Sequence, residues 1–170
     1  MNNTNASAIS VTRFLSDGTQ QFIIPEYQRR YAWQEKQVLD LFYDIHYLEK
    51  QQTHLLGMTL TIREREGYPS LISVVDGQQR ITTLIIMIKV LFDSYKNIGG
   101  ENTRILSGIE RLLYAGDNDD DTTPKIKLGK LDSADFDKII NDQQISPDIE
   151  TSNLIVAYNC LKEKIEKLNI

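Results

Sequence analysis

The sequence predicts an α+β fold, with a small sheet packed with helices and a helical C-terminal part. Three observations lead there. An apolar run, Ser73-Val74-Val75, stops at Asp76-Gly77-Gln78-Gln79-Arg80, and a second apolar run starts at Ile81, which reads as strand, tight turn, helix. Val38, Leu41, Phe42, Ile45 and Leu48 recur at three- and four-residue steps, the signature of one apolar helix face. Residues 54–63 and 70–76 are strand-like and are joined by Glu64-Arg65-Glu66-Gly67-Tyr68-Pro69, a hairpin signal.

Taken in order, residues 1–6 are polar and read as a frayed tail. Residues 7–15 suit a short helix closed by Asp17-Gly18, and residues 21–24 a short strand stopped by Pro25. Residues 35–51 form the first amphipathic helix. Residues 78–95 form the second, with Ile81, Leu84, Ile85, Ile88, Leu91, Phe92 and Tyr95 on one side. Because Ile86, Met87 and Val90 lie off that side, this helix is expected to be central and buried over most of its circumference. A break at residues 97–100 precedes a helix over 103–114. Residues 116–123 are an acidic loop whose aspartates lack the glycine and terminal glutamate of a calcium loop. A strand over 125–128, a helix over 133–140 capped by Asp132 or Ser133, and an amphipathic helix over 152–168 complete the chain.

A length of 170 residues suits one domain, with a motif-bearing core over 7–96 and a mostly helical extension over 97–170. The chain is 41% hydrophobic and 25% charged, the composition of a globular protein. Its net charge is −5, which argues against the broad basic field of non-specific nucleic-acid binding and leaves any DNA contact local or supplied elsewhere. One cysteine, Cys160, excludes an internal disulfide or a multi-cysteine zinc site and fits a reducing cytoplasm. The polar start has no signal-peptide pattern, and the longest apolar run, residues 84–88, is too short to span a membrane, so a cytoplasmic protein is expected.

Two segments carry chemistry. At Asp76-Gly77-Gln78-Gln79-Arg80 a helix start presents free N–H groups, and Arg80 there opposes the helix dipole unless it has an anion partner. A phosphate beside Gly77 and Arg80, with Thr82 and Thr83 in reach and Asp76 holding a metal ion, is one reading; an ordinary strand-to-helix turn is the other. No Walker spacing occurs. The second segment, Ile24-Pro25-Glu26-Tyr27-Gln28-Arg29-Arg30-Tyr31-Ala32-Trp33, concentrates arginines and aromatics that suit either a phosphate-and-base clamp or a packed loop. His46 and His54 stand alone, and no nucleophile triad is evident.

Together with Leu55-Leu56-Gly57, these segments resemble the N-terminal domain of GmrSD-type restriction endonucleases, and the likeness continues through residues 125–128 and 152–158. His54, where an aromatic often precedes the Leu-Gly step, and Ile81, where leucine is common, are mild departures. The resemblance implies a fold similar to ParB and sulfiredoxin. It also implies binding and hydrolysis of nucleoside triphosphates with magnesium, within a defence system against modified foreign DNA. The cutting would reside in a C-terminal His-Asn-His nuclease domain or a partner subunit, so this chain reads as a fragment or a regulatory subunit. Carried over by position, Asp76, Gly77, Gln78, Gln79 and Arg80 form the phosphate and metal corner, with Asp76, Gln78, Gln79 and Arg80 as the catalytic set. Tyr27, Gln28 and Arg29 face them from the other loop. A non-enzymatic DNA- or partner-binding module, and a ParB-like clamp that dimerises, are the alternatives.

Overall fold

The computed structural model describes residues 6–116, 122–143 and 152–168. Helix α1 (Val11–Leu15) leads into strand β1 (Gln20–Ile23), and α2 (Glu35–His46) follows. Then come β2 (Leu60–Arg65), β3 (Ser70–Asp76) and the long α3 (Gln78–Asn97). The remainder is α4 (Thr103–Leu113), β4 (Tyr114–Ala115), β5 (Thr123–Pro124), β6 (Ile126–Lys127), α5 (Lys130–Ile140) and α6 (Asn153–Glu166).

The main sheet has the order β2-β3-β1-β6 and is mixed. β2 and β3 form the expected antiparallel hairpin. β1 lies parallel to both β3 and β6, with Phe22 opposite Ile72 on one side and Ile126 on the other. Parallel neighbours require crossovers: the connection from β1 to β3 carries α2, and that from β3 to β6 carries α3 and α4. A separate two-stranded ribbon pairs β4 with β5.

Helix α3 is central, as its all-round apolar pattern predicts, and packs against α4, α5 and α6. Its Ile81, Ile85, Ile86 and Val90 meet Phe22, Ile72 and Val74 of the sheet, with Phe136, Leu154 and Leu161 of the later helices, in one core cluster. Each such side chain contributes about 1.5–3 kcal/mol on burial. Leu91, expected on the buried side, is exposed. None of the described helices is long and apolar enough to cross a membrane.

Several boundaries differ from the sequence reading. The first helix starts at Val11 because Ser10 caps it, its hydroxyl accepting from Arg13 N at 3.2 Å, and Ile9 stays half exposed. α2 ends at His46, so Leu48 lies beyond it; His46 stacks on Phe42 instead. The strand expected from residue 54 begins at Leu60, because Leu55 and Met58 are 85% and 80% exposed and no partner strand pairs there. α5 begins at Lys130 with Gly129 as its cap, three residues earlier than expected, because the Asp132 carboxylate is engaged elsewhere. Of the acidic loop expected over 116–123, residues 117–121 lie outside the described residues, and Thr123 belongs to β5.

Two lysines are buried. Lys89 sits between the carboxylates of Asp93, at 2.6 Å, and Asp142. Burial works to lower its pKa, and these partners hold it above the ordinary value. Asp142 reaches this position because it takes the left-handed conformation, φ 54°, after the end of α5. Lys125 is 0% exposed and, among the described residues, donates to carbonyls, those of Asp17 at 2.9 Å and Gln20 at 3.3 Å.

Burial therefore pulls the Lys125 pKa down to about 8, with Asp17 opposing. The unfolded chain keeps its lysine protonated to higher pH, so between those two pKa values the unfolded state binds more protons and stability rises with pH. The penalty is full below the folded pKa. Between pH ~7 and ~10 its relief amounts to about 2–3 kcal/mol. Urea unfolding of wild type and Lys125→Met at both pH values is expected to show this rise in wild type and its loss in the variant.

Candidate functional site

The three parallel strands end side by side, and the segments that follow them converge. Residues 24–33 follow β1, the Gly77 turn and α3 follow β3, and Leu128-Gly129 and α5 follow β6. Between them lies a cleft of about 280 Å³. Clefts at the carboxyl ends of parallel strands are where such sheets bind ligands, since helix N-termini gather there. Both α3 and α5 start on this cleft, and neither has a side-chain cap.

The loop after β1 is held by side-chain amides. The carbonyls of Arg29, Arg30 and Tyr31 accept, in turn, from Gln78 Nε2 at 3.3 Å, Gln79 Nε2 at 3.2 Å and Asn153 Nδ2 at 3.4 Å. Gln79 Oε1 accepts from Ala32 N at 2.7 Å and Trp33 N at 3.2 Å. Gln28 Nε2 donates to Val75 O at 3.1 Å, tying the loop to the end of β3. Tyr31 N donates to Asp132 Oδ2 at 2.7 Å, and Arg30 Nε donates to Asp132 Oδ1 at 3.0 Å.

Thr83 Oγ1 donates to Gln79 O at 2.8 Å, so the phenol of Tyr31, 2.7 Å away, must be the donor in their shared bond. Burial pushes the Tyr31 pKa up to about 12, against the opposing Thr83 bond, so the group remains a neutral phenol.

The charges around the cleft are unevenly matched. Arg30 is balanced by Asp132, and Lys130 by Glu26 at 3.2 Å. Arg29 lines the cleft and has no ion-pair partner among the described residues. Gln78 also lines it, only 8% exposed, and its buried Oε1 has no hydrogen-bond partner among the described residues.

The predicted residues thus separate into groups. Gln28, Arg29, Gln78, Gln79 and Thr82 come together on the cleft. Gly77 and Arg80 instead meet residues 57–59, and Asp76 pairs with Leu60. Gly77, at φ +89°, has no room for a side chain, since a Cβ would come 2.9 Å from Thr59 Oγ1. Arg80 Nη1 donates to Met58 O at 3.3 Å, and a Cβ on Gly57 would fall 2.9 Å from the same guanidinium. Asp76 is exposed and its Oδ1 accepts from Gly77 N at 2.8 Å. Tyr27 is 76% exposed and off the cleft wall, and Thr83 faces the core.

Among the described residues no three acidic, histidine or cysteine groups gather to form a metal cage. A single carboxylate such as Asp76 fits a magnesium ion that keeps its waters and takes its other oxygens from phosphate. The third wall, Leu128 to Asp132, was not singled out in the sequence. Its signal is an apolar strand end, Leu128, followed at once by Gly129; at the Gly77 turn Asp76 stands between the apolar run and the glycine.

A scan against protein families matches residues 11–169 to the GmrSD restriction endonuclease, N-terminal domain. No curated protein matches the chain. The match takes in both cleft-forming segments and the third wall, and the chain belongs to the family of GmrSD restriction endonuclease N-terminal domains.

Proposed function

We propose that the cleft binds the phosphates of a nucleoside triphosphate and that this domain hydrolyses it with magnesium, so regulating a DNA-targeting restriction activity that resides elsewhere. The observation that carries the reading is the unmatched Arg29 on a cleft where two uncapped helix starts meet at the ends of parallel strands. Backbone N–H groups and positive helix ends favour an anion there, and a guanidinium forks onto phosphate oxygens. A cleft of this volume lies at the lower end of small-ligand sites, enough to hold part of a nucleotide.

Magnesium, when bound, neutralises charge developing on the transferred phosphoryl group. Asp76 would hold it. Arg29 neutralises phosphate oxygens, and the start of α3 orients them. Of the two glutamines, Gln79 is committed to the 30–33 loop through both ends of its amide, whereas Gln78 keeps a free acceptor. Gln78 is therefore the residue to orient an attacking water, and Gln79 positions the loop that carries Arg29. Arg80 reaches the same phosphates only by leaving Met58 O.

Calorimetric titration of the protein with each of the four ribonucleoside triphosphates, with magnesium, tests the reading. Saturable binding of at least one is expected, and Asp76→Ala is expected to weaken its magnesium dependence. Phosphate release, assayed separately, reports turnover. Binding of none, together with salt-dependent retention of DNA, would replace this reading with the binding module.

A further inference from the structure

We infer that Asp132 is a positioning residue of the cleft. Its carboxylate fixes the backbone next to Arg29 and takes up the neighbouring Arg30, so that of two adjacent arginines Arg29 is the one left for a ligand. This rests on the phosphate reading above and adds to it a residue that acts through others and touches no ligand.

Nothing local distinguishes the two arginines. Both line the cleft, and residues 29–34 have neither helix nor strand to fix their course. Asp132 supplies the difference from 101 and 102 residues away in sequence, because β6 pairs beside β1 and delivers the start of α5 to the loop. It is 8% exposed, in the first turn of α5, and its two oxygens serve different groups. Oδ2 accepts from the buried Tyr31 N at 2.7 Å, and Oδ1 accepts from Arg30 Nε at 3.0 Å. Arg30 Nη2 also donates to Leu131 O at 2.9 Å, so one turn of α5 holds that guanidinium twice. Bonds to a carboxylate are short and strong, and burial strengthens them further. Arg29, by contrast, is held through its backbone, its carbonyl accepting from Gln78 Nε2 at 3.3 Å. Where its side chain stands therefore follows from what fixes residues 30 and 31. Gln79, Asn153 and Thr83 tie the same loop to α3 and α6. Loss of Asp132 thus leaves the loop attached to the core and frees the side that faces α5.

Two measurements on the whole chain separate this role from a purely structural one. In hydrogen exchange, Asp132→Ala is expected to speed exchange of the Tyr31 amide at least about tenfold, while the amides of Ile85 and Ile86 in α3 keep their rates. Asp132→Asn keeps an oxygen for Tyr31 N and is expected to restore most of that protection. In calorimetric titration with ATP, GTP, CTP and UTP, each with magnesium, Asp132→Ala is expected to weaken the tightest of them about tenfold. With Arg29→Ala already present, the same change is expected to cost less than about twofold, since a misplaced arginine matters only while the arginine is there. Asp132→Asn is expected to bind within about threefold of wild type, and it carries the test where the alanine variant does not fold. An equal loss in both backgrounds, a tenfold loss in Asp132→Asn, or a Tyr31 amide that exchanges at the wild-type rate in Asp132→Ala overturns the inference and leaves nucleotide binding standing. If wild type binds none of the four triphosphates, the phosphate reading falls and this inference falls with it.

Discussion

Replacing Gln79 with alanine is expected to destabilise the fold by about 2–4 kcal/mol and to loosen the loop after β1. One amide satisfies three backbone groups, Ala32 N, Trp33 N and Arg30 O, which lie 46 to 49 residues away in sequence. Alanine leaves all three without that partner. Each part-buried group then costs about 1–3 kcal/mol unless water replaces the amide. Because Arg30 and Tyr31 remain tied to Asp132, the fold persists and the damage centres on the segment carrying Arg29. Gln79→Glu separates the causes. A carboxylate still accepts from Ala32 and Trp33, but it turns an oxygen toward Arg30 O where the amide donated at 3.2 Å and places a charge on a side chain only 7% exposed, which the helix N-terminus offsets in part. Urea unfolding is expected to leave this variant less stable than wild type but with the 32–33 amides still satisfied, while its added negative charge weakens anion binding. An alanine variant as stable as wild type would show that the amide is not what holds the loop.

Arg29→Ala is expected to weaken triphosphate binding by about 10- to 150-fold, the 1.5–3 kcal/mol typical of a charge-assisted hydrogen bond. Arg29 donates no side-chain bond to any described residue and has no ion-pair partner among them, so its removal leaves no buried group stranded. Folding stability is expected to change by less than about 0.5 kcal/mol, as for other surface substitutions. That split between binding and stability distinguishes a ligand-binding arginine from a structural one. Arg30→Ala should behave in the opposite way, since its guanidinium bridges Asp132 Oδ1 and Leu131 O. Binding of triphosphate by Arg29→Ala at wild-type affinity would remove the residue from the site.

How much of this could be read in advance follows from the range of the interactions. β3, the Gly77 turn and α3 were legible because an apolar strand, a glycine at positive φ and a four-residue apolar repeat are each decided within a few residues. The early end of α2 and the late start of β2 were not, because both depend on whether a distant surface covers Leu48 and residues 54–59. The start of α5 was misplaced for a related reason. Asp132 has the chemistry of a cap, and only the arrival of Arg30 and Tyr31 N, about a hundred residues away in sequence, shows that its carboxylate is used elsewhere. The two glutamines are indistinguishable in sequence, yet one is saturated by a loop and the other holds an empty acceptor.

By itself, then, the sequence determined the helical and strand segments with strong local periodicity, the hairpin, the central helix and the two segments that meet at the site. Only the tertiary structure decided that β6 pairs beside β1, which brings Gly129 and Lys130 to the cleft as a third wall. It also set Arg80 and Gly77 against residues 57–59 and left Asp76 exposed, off the cleft wall. The physical reason is that periodicity and turn chemistry act over one or two turns of chain. Strand order and the choice of partner for a carboxylate or an amide are settled by which distant groups the packed core brings within about 3 Å.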